Sequence, residues 1–451
     1  MSICLERIKG WYNKQILLNQ TGFRQNFGCP DAIFSLKSLH HNASRMNKET
    51  YLLFIDLTAA YDWCVRTWLF QSIDNRMSPN DTPTYNCVCI MEALYKKTGA
   101  VVKSNKDPQY FEMTSGVRQG GPESPTLFNL YLDYIMRIYN KKVKDLGLVV
   151  EYNYRIKDQA RSRGETYRGK GEFPWIGYAD DLTLIAASKE HLQTAANIIF
   201  DLLSRFGLVL SLDKTQSMIL NYQGTEYPDN ILNINNTQIK NVTHFKYLGS
   251  TISYNEVGTC DKEVENRIGM AHGQFSELKS LLCNYHLKLS IRIRFYEVYI
   301  RSRLCYCCET WTLSQKQLNR IKATHMHFLR RMVRGGMNRI TLMKKIKELK
   351  NVGNEDEINW HWKHTNDKIY HLTKTLPMED FIERQNCRWI SHIVHASNEA
   401  PTKQLMFTEE RFTVIGRRTK TVYERVLHFQ QDKHGKYVET FLRKSFRKSN
   451  K

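Results

Sequence analysis

The chain has 451 residues, and 66 Lys and Arg against 45 Asp and Glu give it a formal net charge of +21. Hydrophobic residues make up 41% of the chain and aromatic residues 12%, which is enough for a packed core and excludes a disordered basic tail protein. The basic excess favours a polyanionic partner, with nucleic acid ahead of an anionic membrane surface.

Targeting features and cysteines narrow the cellular setting. No stretch approaches the roughly 18 uninterrupted apolar residues of a membrane span, and the first residues lack the apolar run of a secretory signal. The 11 Cys residues follow no disulfide or paired zinc spacing. We therefore expect a protein of the nucleus or cytoplasm that is neither secreted nor bound to a membrane.

The order of the predicted elements indicates the fold class. Strand-length apolar runs lie among helical stretches without a repeat, which favours an α+β fold over a regular βαβ array. The polar, glycine-bearing segment 153–172 is predicted to be an inserted loop. Later residues are helical in pattern, and a Gly-Gly pair at 335–336 offers a hinge. We predict a division into residues 1–255, a helical region 256–335 and a basic helical segment 336–451.

Two predicted strand ends carry acidic residues. Asp56 follows the apolar and aromatic run Tyr51 to Ile55, so a buried strand would deliver its carboxylate at the C-terminal tip. Asp180 and Asp181 stand at the turn of a predicted strand–turn–strand, PWIGYADDLTLIAA. Because Asp pairs are common in turns for local reasons, neither element alone identifies a site.

Together these elements predict a metal site. Neighbouring carboxylates flanked by apolar strands repel each other, which raises their pKa unless a cation compensates. Mg²⁺ takes oxygen ligands and is commonly held by one or two carboxylates plus substrate phosphates. Two such ions about 4 Å apart can activate an attacking hydroxyl and stabilise a leaving pyrophosphate.

A glycine-rich loop and a helix separate the acidic elements. Ser124 followed by Pro125 predicts a helix start, with the serine as N-cap. Ahead of it, glycines flank Arg118 and Gln119 in a loop where backbone could approach a ligand closely. Standing alone, this segment would indicate only a glycine-rich turn before an ordinary helix.

In this order the elements resemble motifs A, B and C of a reverse transcriptase of the non-LTR (LINE-type) retrotransposon group. The three blocks are Asp56 with Tyr61 and Asp62, then RQGGPESPTLFNL, then GYADD. LVLSLDKTQSMIL resembles motif D, HFKYLGSTIS the motif E primer grip, and NQTGFRQNFGCPDAIF the fingers motif ahead of motif A. The resemblance covers about residues 17–255, and later residues more weakly resemble the thumb and C-terminal segment of RTE-like elements.

The resemblance implies an α+β right-hand polymerase with fingers, thumb and an antiparallel palm sheet, followed by a helical C-terminal segment. It implies an RNA-directed DNA polymerase that transfers nucleotides from dNTPs to a DNA primer 3′-hydroxyl on an RNA template. Two Mg²⁺ ions would serve as cofactors, and Mn²⁺ could substitute. The +21 charge would then hold the heteroduplex, with steep salt dependence.

The resemblance also implies roles for single residues. Asp56 and Asp180 would ligate both metals, with Asp181 as the third acid of the site. Lys214 would neutralise or protonate the departing pyrophosphate, and Tyr61 would be the gate that clashes with a 2′-hydroxyl. The remaining implied contacts are to the nucleotide from Arg24, Arg118, Gln119 and Gly120, and to the primer from Phe245, Lys246, Tyr247, Leu248 and Gly249.

Simpler interpretations stay open at this point. Tyr61 could be a core tyrosine, Lys214 a lysine of a surface turn, and Arg24 a solvated arginine, while Phe27 stands where relatives usually carry a second basic residue. The alternative for the whole chain is a catalytically inactive retrotransposon-derived protein that binds RNA or DNA. Since about 20 residues precede the fingers motif, we also expect a polymerase truncated at its N-terminus, with nicking supplied by a missing endonuclease domain or another chain.

Overall fold

A computed structural model describes most of the chain as two compact units that divide near residue 257. The described residues are 1–77, 81–102, 109–157, 166–255, 260–334 and 365–406, together with Lys344, Lys347 and Asn351. The first unit also takes in residues from Ile393 to Met406, and the second holds the described residues between 260 and 392. No described helix is both long enough and apolar enough to cross a lipid bilayer.

The first unit mixes helices and strands. Its helices are α1 (Ser2–Gln15), α2 (Cys29–Arg45), α3 (Arg66–Asp74), α4 (Thr82–Lys96), α5 (Ser124–Asp145) and α6 (Lys189–Arg205). Its strands are β1 (Thr50–Ile55), β2 (Leu57–Thr58), β3 (Gly99–Val102), β4 (Gln109–Glu112), β5 (Glu151–Lys157), β6 (Thr166–Glu172), β7 (Trp175–Tyr178), β8 (Asp181–Ala186), β9 (Val209–Leu210), β10 (Gln216–Leu220), β11 (Asn230–Ile234), β12 (Thr237–Lys240), β13 (His244–Tyr247) and β14 (Ser250–Ser253).

A four-stranded antiparallel sheet, in the order β10-β1-β8-β7, forms the centre of this unit. Its central strand β1 is buried along nearly its whole apolar run because both faces are covered. Leu53 of β1 shares one buried cluster with Phe128 of α5 and Leu203 of α6. The core therefore holds the sheet rigidly from its middle strand outward.

Helix α5 begins differently from the prediction. Ser124 is its first residue and not its N-cap, which is Glu123. The Ser124 hydroxyl donates to the backbone carbonyl of Arg118 in the preceding loop. Because the hydroxyl is engaged in that bond, Ser124 stabilises the glycine-rich loop and does not cap the helix.

The predicted inserted loop at 153–172 is wrong for its described part, which belongs to an antiparallel hairpin of β5 and β6. Glu151 lies opposite Glu172 at the base of the hairpin, and each pairs with a lysine, Lys170 at 3.2 Å and Lys144 at 2.8 Å. β5 does alternate, with Tyr152, Tyr154 and Ile156 between polar residues, but the charged residues and glycines of the surrounding segment predicted a loop instead.

The second unit is helical in its described part. It comprises α7 (Asp261–Glu277), α8 (Lys279–Leu282), α9 (Leu289–Phe295), a π-helical stretch (Tyr296–Arg301), α10 (Ser302–Leu304), a 3₁₀ turn (Cys308–Thr310), α11 (Gln315–Val333), α12 (Asn366–Thr373) and most of α13 (Met378–His395). Tyr296 and Phe328 are fully buried in its core, and the Tyr296 hydroxyl lies 2.6 Å from His325 Nδ1.

The predicted segment 336–451 has no unit of its own among the described residues. Ile369 and Met378 belong to the core of the second unit. The short helix α14 (Pro401–Met406) instead packs against α2 in the first unit. Helices of 6 to 8 residues bury too little surface to be stable without a larger core. The hinge at 335–336 lies outside the described residues.

Candidate active site

The three acidic residues predicted from the sequence lie at one end of the central sheet. Asp56 follows β1 directly, Asp180 lies in the tight Ala179–Asp180 turn that joins β7 to β8, and Asp181 is the first residue of β8. Ile55 is paired with Leu182 in the antiparallel ladder, so Asp56, which follows Ile55, and Asp181, which precedes Leu182, are neighbours across the strands. Strand register therefore brings the carboxylates together.

The electrostatics of the turn agree with this closeness. Burial raises the pKa of Asp181 to about 6, and the charges of Asp180 and then Asp56 add to the increase. Burial also raises the pKa of Asp180; a backbone hydrogen bond offsets part of that rise, and Asp56 contributes further repulsion. At neutral pH the folded chain thus carries unfavourable like-charge repulsion at this point, which a cation would relieve.

The Lys214 ammonium lies beside the first of these acids. Its Nζ is 3.7 Å from Asp56 Oδ2, and both side chains are solvent-accessible. The segment before Lys214 is tied to the same place, because Ser211 N–H donates to the Asp56 carbonyl at 2.8 Å and Leu210 pairs with Leu57. The backbone thereby fixes where this lysine enters the site, although an exposed ion pair adds little stability.

Tyr61, in the segment that follows Asp56, packs its ring against α5. Its half-buried ring stacks on Phe128 of α5 with a centroid separation of 4.8 Å. Burial, followed by the charge of Asp180, raises the pKa of the Tyr61 hydroxyl to about 12. Tyr61 therefore faces the acidic turn while its ring is held by the core.

The glycine-rich loop Gly116–Gly121 is joined to the segment after Asp56. Val117 N–H donates to the Tyr61 carbonyl at 2.8 Å. Gly116 has φ +77°, and a Cβ there would lie 2.8 Å from the Asp62 carbonyl oxygen, so only glycine fits. Gln119 Nε2 donates to both carboxylate oxygens of Asp62, at 2.9 and 3.1 Å.

Other members of the loop point elsewhere. Arg118 donates to the Leu94 carbonyl at 2.6 Å and lies over the ring of Tyr95, so its side chain is engaged by α4. Gly120, with φ +83°, has open space where a side chain would stand. Of the predicted nucleotide contacts in this loop, Gln119 is therefore the one that the structure draws toward the segment following Asp56.

Comparison with known proteins identifies the family. Residues 2–252, more than half of the chain, match the family model described as reverse transcriptase (RNA-dependent DNA polymerase). The chain belongs to the reverse transcriptase family. The predicted non-LTR reverse transcriptase and its right-hand polymerase fold are confirmed, whereas the finer RTE-like placement stays a prediction.

Similar relatives of this reverse transcriptase include two Pol polyproteins. One, from the type-2 retrotransposable element R2DM of Drosophila melanogaster, is 24% identical over 196 residues, which is 43% of this chain and 16% of that protein. The other, from the type-1 retrotransposable element R2 of Nasonia vitripennis, is 26% identical over 235 residues, 50% of this chain and 20% of that protein. The chain thus matches a fifth or less of the length of either relative.

Among solved structures, apo telomerase from Candida tropicalis is similar to this reverse transcriptase with a TM-score of 0.41 and 12% identity. The likeness covers 89% of this chain and 60% of that one.

The predicted primer-grip residues form the β13–β14 hairpin of the reverse transcriptase. Leu248 and Gly249 both have positive φ, +47° and +80°, as a two-residue type I′ turn requires. Phe245 stacks on Phe54 of β1 with ring centroids 3.8 Å apart, and Tyr247 is buried against the same ring. Lys246, on the opposite side of the strand, is exposed.

Arg24 of the fingers motif is only 7% exposed, so the simpler interpretation of a solvated arginine is wrong. Its guanidinium donates to the carbonyls of Asn13, Leu17 and Gln20 at 2.8–3.1 Å and lies over the ring of Phe27. These contacts favour a structural role for Arg24, and its predicted contact with a triphosphate stays a prediction.

Arg66, at the start of α3, holds a position in the site that was not predicted from the sequence. Its guanidinium donates to the carbonyls of Gly116, Tyr95 and Met113 at 2.6–2.9 Å and to the hydroxyl of Thr98 at 2.7 Å. Arg66 therefore anchors the glycine-rich loop to α4. A single arginine at a helix start has no pattern that would have identified this role.

The donor set at the sheet end fits a divalent cation by its chemistry. The carboxylates of Asp56, Asp180 and Asp181 are hard oxygen ligands, which Mg²⁺ prefers, and the charge of Asp56 contributes to the raised pKa of the other two. Reverse transcriptases as a family use divalent metals. Within the described part of the chain, no three Asp, Glu, His or Cys side chains are already gathered as a complete metal centre.

Proposed function

We propose that the chain is an RNA-directed DNA polymerase that extends a DNA primer on an RNA template with dNTPs. The observation that carries this proposal is the meeting of Asp56, Asp180 and Asp181 at the end of the central sheet in a chain of the reverse transcriptase family. The acids are mounted on paired strands, which is the rigid support that such chemistry needs.

The carboxylates of Asp56, Asp180 and Asp181 would hold two Mg²⁺ ions, or Mn²⁺ in their place. When bound, such ions activate the primer 3′-hydroxyl and stabilise the leaving pyrophosphate. The chain itself contributes positioning, and phosphoryl-type transfer needs little else because its barrier is lowered mainly by alignment and electrostatics.

Other residues would act on the nucleotide. The primer 3′-oxygen forms its bond to the α-phosphorus while the bond from that phosphorus to pyrophosphate breaks. Lys214, held at Asp56, would give the departing pyrophosphate its proton or neutralise its charge. The ring of Tyr61, fixed by Phe128, would exclude a 2′-hydroxyl, and Gln119 with Gly120 would line the nucleotide pocket.

The template and primer would be bound through their backbones. The net charge of +21 supplies a sequence-independent attraction that falls steeply with salt. The β13–β14 hairpin, stacked on β1 through Phe245 and Phe54, would hold the primer end near the acids. Arg24 and Arg118 would contribute to nucleotide binding only if their present backbone contacts were exchanged.

Primer extension on an RNA template tests this function directly. The wild-type chain with dNTPs should extend the primer, and Asp180→Asn should reduce incorporation by roughly 100- to 1,000-fold, since it removes one preorganised charge from the reacting centre. Asp201→Asn, on the exposed face of α6, is the matched control and should retain wild-type incorporation. Equal incorporation by wild type and Asp180→Asn would contradict the assignment of the site. Retention of the RNA–DNA hybrid without any extension would instead indicate a binding protein.

A further inference from the structure

The segment Asn19–Gly22 forms an additional layer on the strand that leads to the acidic turn. Gln20 makes a parallel bridge with Gly177 of β7. Gly177 N–H donates to the Asn19 carbonyl, and Thr21 N–H donates to the Gly177 carbonyl, both at 2.9 Å. This segment is thus bound along the outer edge of β7, immediately before the turn that carries Asp180.

The Gln20 side chain binds the turn itself. Its Oε1 accepts from Ala179 N–H at 2.7 Å and from Gly22 N–H at 2.9 Å, while its Nε2 donates to the Ala179 carbonyl at 3.0 Å. Gln20 is 2% exposed, so these bonds form away from solvent. Ala179 has φ +55°, a conformation that is unfavourable for a residue with a side chain and that these two bonds to its own peptide groups hold in place.

Helix α5 supports this clamp, the pair of hydrogen bonds by which the Gln20 side chain holds Ala179. Asn129, fully buried in that helix, donates to the Gly22 carbonyl at 2.7 Å. A Cβ on Gly22 would lie 2.4 Å from the nitrogen of Ala179, so the two segments meet at the closest approach that backbone allows. Asn129, Gly22, Gln20 and Ala179 therefore form one continuous chain of contacts from the helix to the residue that precedes Asp180.

We propose that Gln20 is a positioning residue that fixes the Ala179–Asp180 turn and so sets the place of the Asp180 carboxylate. The inference rests on the proposed polymerase function, because it assigns to Gln20 the alignment of an acid of that same site. Within the described part of the chain, the Gln20 side chain forms no hydrogen bond with Asp180 or Asp181 and acts on the turn through the backbone of Ala179. Its role is thus alignment, without contact with substrate.

Gln20→Met tests the proposal, because methionine keeps the length and volume of glutamine and removes all three hydrogen bonds. We expect kcat for incorporation to fall by roughly 100-fold, as displacement of an aligned group commonly does, while KM for the primer–template stays within about twofold. Thr21→Val is the matched control. It removes the 3.0 Å bond from the Thr21 hydroxyl to Gly177 in the same segment and leaves the Ala179 clamp intact, so it should lower Tm with little change in kcat per active site.

Amide hydrogen exchange supplies a readout that needs no activity. In Gln20→Met the N–H groups of Ala179 and Gly22 should lose protection, while Gly177 N–H, bound to Asn19, should keep it. If wild type fails to extend any primer, the polymerase proposal fails and exchange still decides whether the clamp exists.

The result that overturns the proposal is a folded Gln20→Met variant with wild-type kcat, or one whose Ala179 amide stays protected. Should that variant not fold, Gln20→Glu takes its place, since a carboxylate still accepts from both N–H groups and loses only the donation to the Ala179 carbonyl. Positioning then predicts an intermediate loss of kcat. A Gln20→Glu variant with unchanged kcat and exposed Ala179 N–H would also refute the role.

Discussion

The acidic sheet end and the glycine-rich loop lie side by side in the candidate site, yet they are held by different means. The acids stand on antiparallel strands, and the pairing of Ile55 with Leu182 sets their separation. The loop Gly116–Gly121 has no strand pairing, and single backbone bonds such as that of Val117 to Tyr61 hold it together with the side chains of Arg66 and Asp62. We therefore expect substitutions at the sheet end to affect the chemical step, and substitutions at the loop to affect stability and nucleotide binding.

The largest expected effect comes from substituting one acid at the sheet end, Asp56, and comparing it with an acid that holds the glycine-rich loop, Asp62. Asp56→Asn should lower kcat by roughly 1,000-fold without loss of stability, because it removes a charge from the reacting centre and relieves repulsion. Asp62→Ala should leave kcat near wild type and raise KM for dNTP by about tenfold, since Gln119 loses a charge-assisted hydrogen bond. Steady-state primer extension at varied dNTP measures both. A large fall in kcat for Asp62→Ala would show that loop and sheet end are not separable in this way.

Arg66→Met tests the support of the loop. It leaves several backbone carbonyls of the loop and α4 without a donor, so we expect the free energy of unfolding to fall by about 2–3 kcal/mol. Urea denaturation measures this change as a lower midpoint with an unchanged denaturant dependence, the m value. Arg118→Met is the matched control, because that arginine lies over the same Tyr95 ring but donates to the one carbonyl of Leu94. Comparable losses in the two variants would contradict the special role of Arg66.

The smallest effect concerns the pH dependence of stability at the sheet end. Asp181 has a pKa of about 6 in the folded chain and an ordinary pKa of about 4 in the unfolded chain. As pH rises, the unfolded chain therefore releases this proton before the folded chain does. Ionisation of Asp181 therefore lowers stability between about pH 4 and 6 and keeps it lowered above. In metal-free buffer, Asp181→Asn should raise Tm at pH 7–8, and the gain should vanish near pH 4. A gain of equal size at every pH would exclude this cause, and thermal melts across that range decide it.

The same contrast explains how far the sequence could be interpreted. Asp56, Asp180 and Asp181 were predictable because an apolar run that ends in an acid is a local pattern. The polar hairpin of β5 and β6 has no such pattern, so it was predicted as a loop. Gln20 bonds to Ala179, 159 residues away in the chain, and Arg66 bonds to Tyr95 and Gly116, 29 and 50 residues away, and no local spacing records such partners.

Burial changed the interpretation of other residues for a similar reason. Ser124 is of a residue type that often caps a helix N-terminus, but its hydroxyl donates to the Arg118 carbonyl in the loop before it. Arg24 is of a residue type that is usually found at the surface, but its guanidinium donates to the backbone carbonyls of Asn13, Leu17 and Gln20. In both cases the residue type was identified and its partner was not, because tertiary structure decides which acceptor lies within reach.

The contacts of Arg24 have a practical consequence for shortening this protein. One of its three acceptors, the carbonyl of Asn13, belongs to α1, and the hydroxyl of Tyr12 in the same helix receives a bond from Asn129. Cys4 and Ile8 bury the rest of that helix in the core. A recombinant version trimmed to the first recognisable motif, near residue 17, would lose these supports and with them the order of residues 19–24. Expression boundaries should therefore be placed ahead of Ser2, and affinity tags joined there through a spacer.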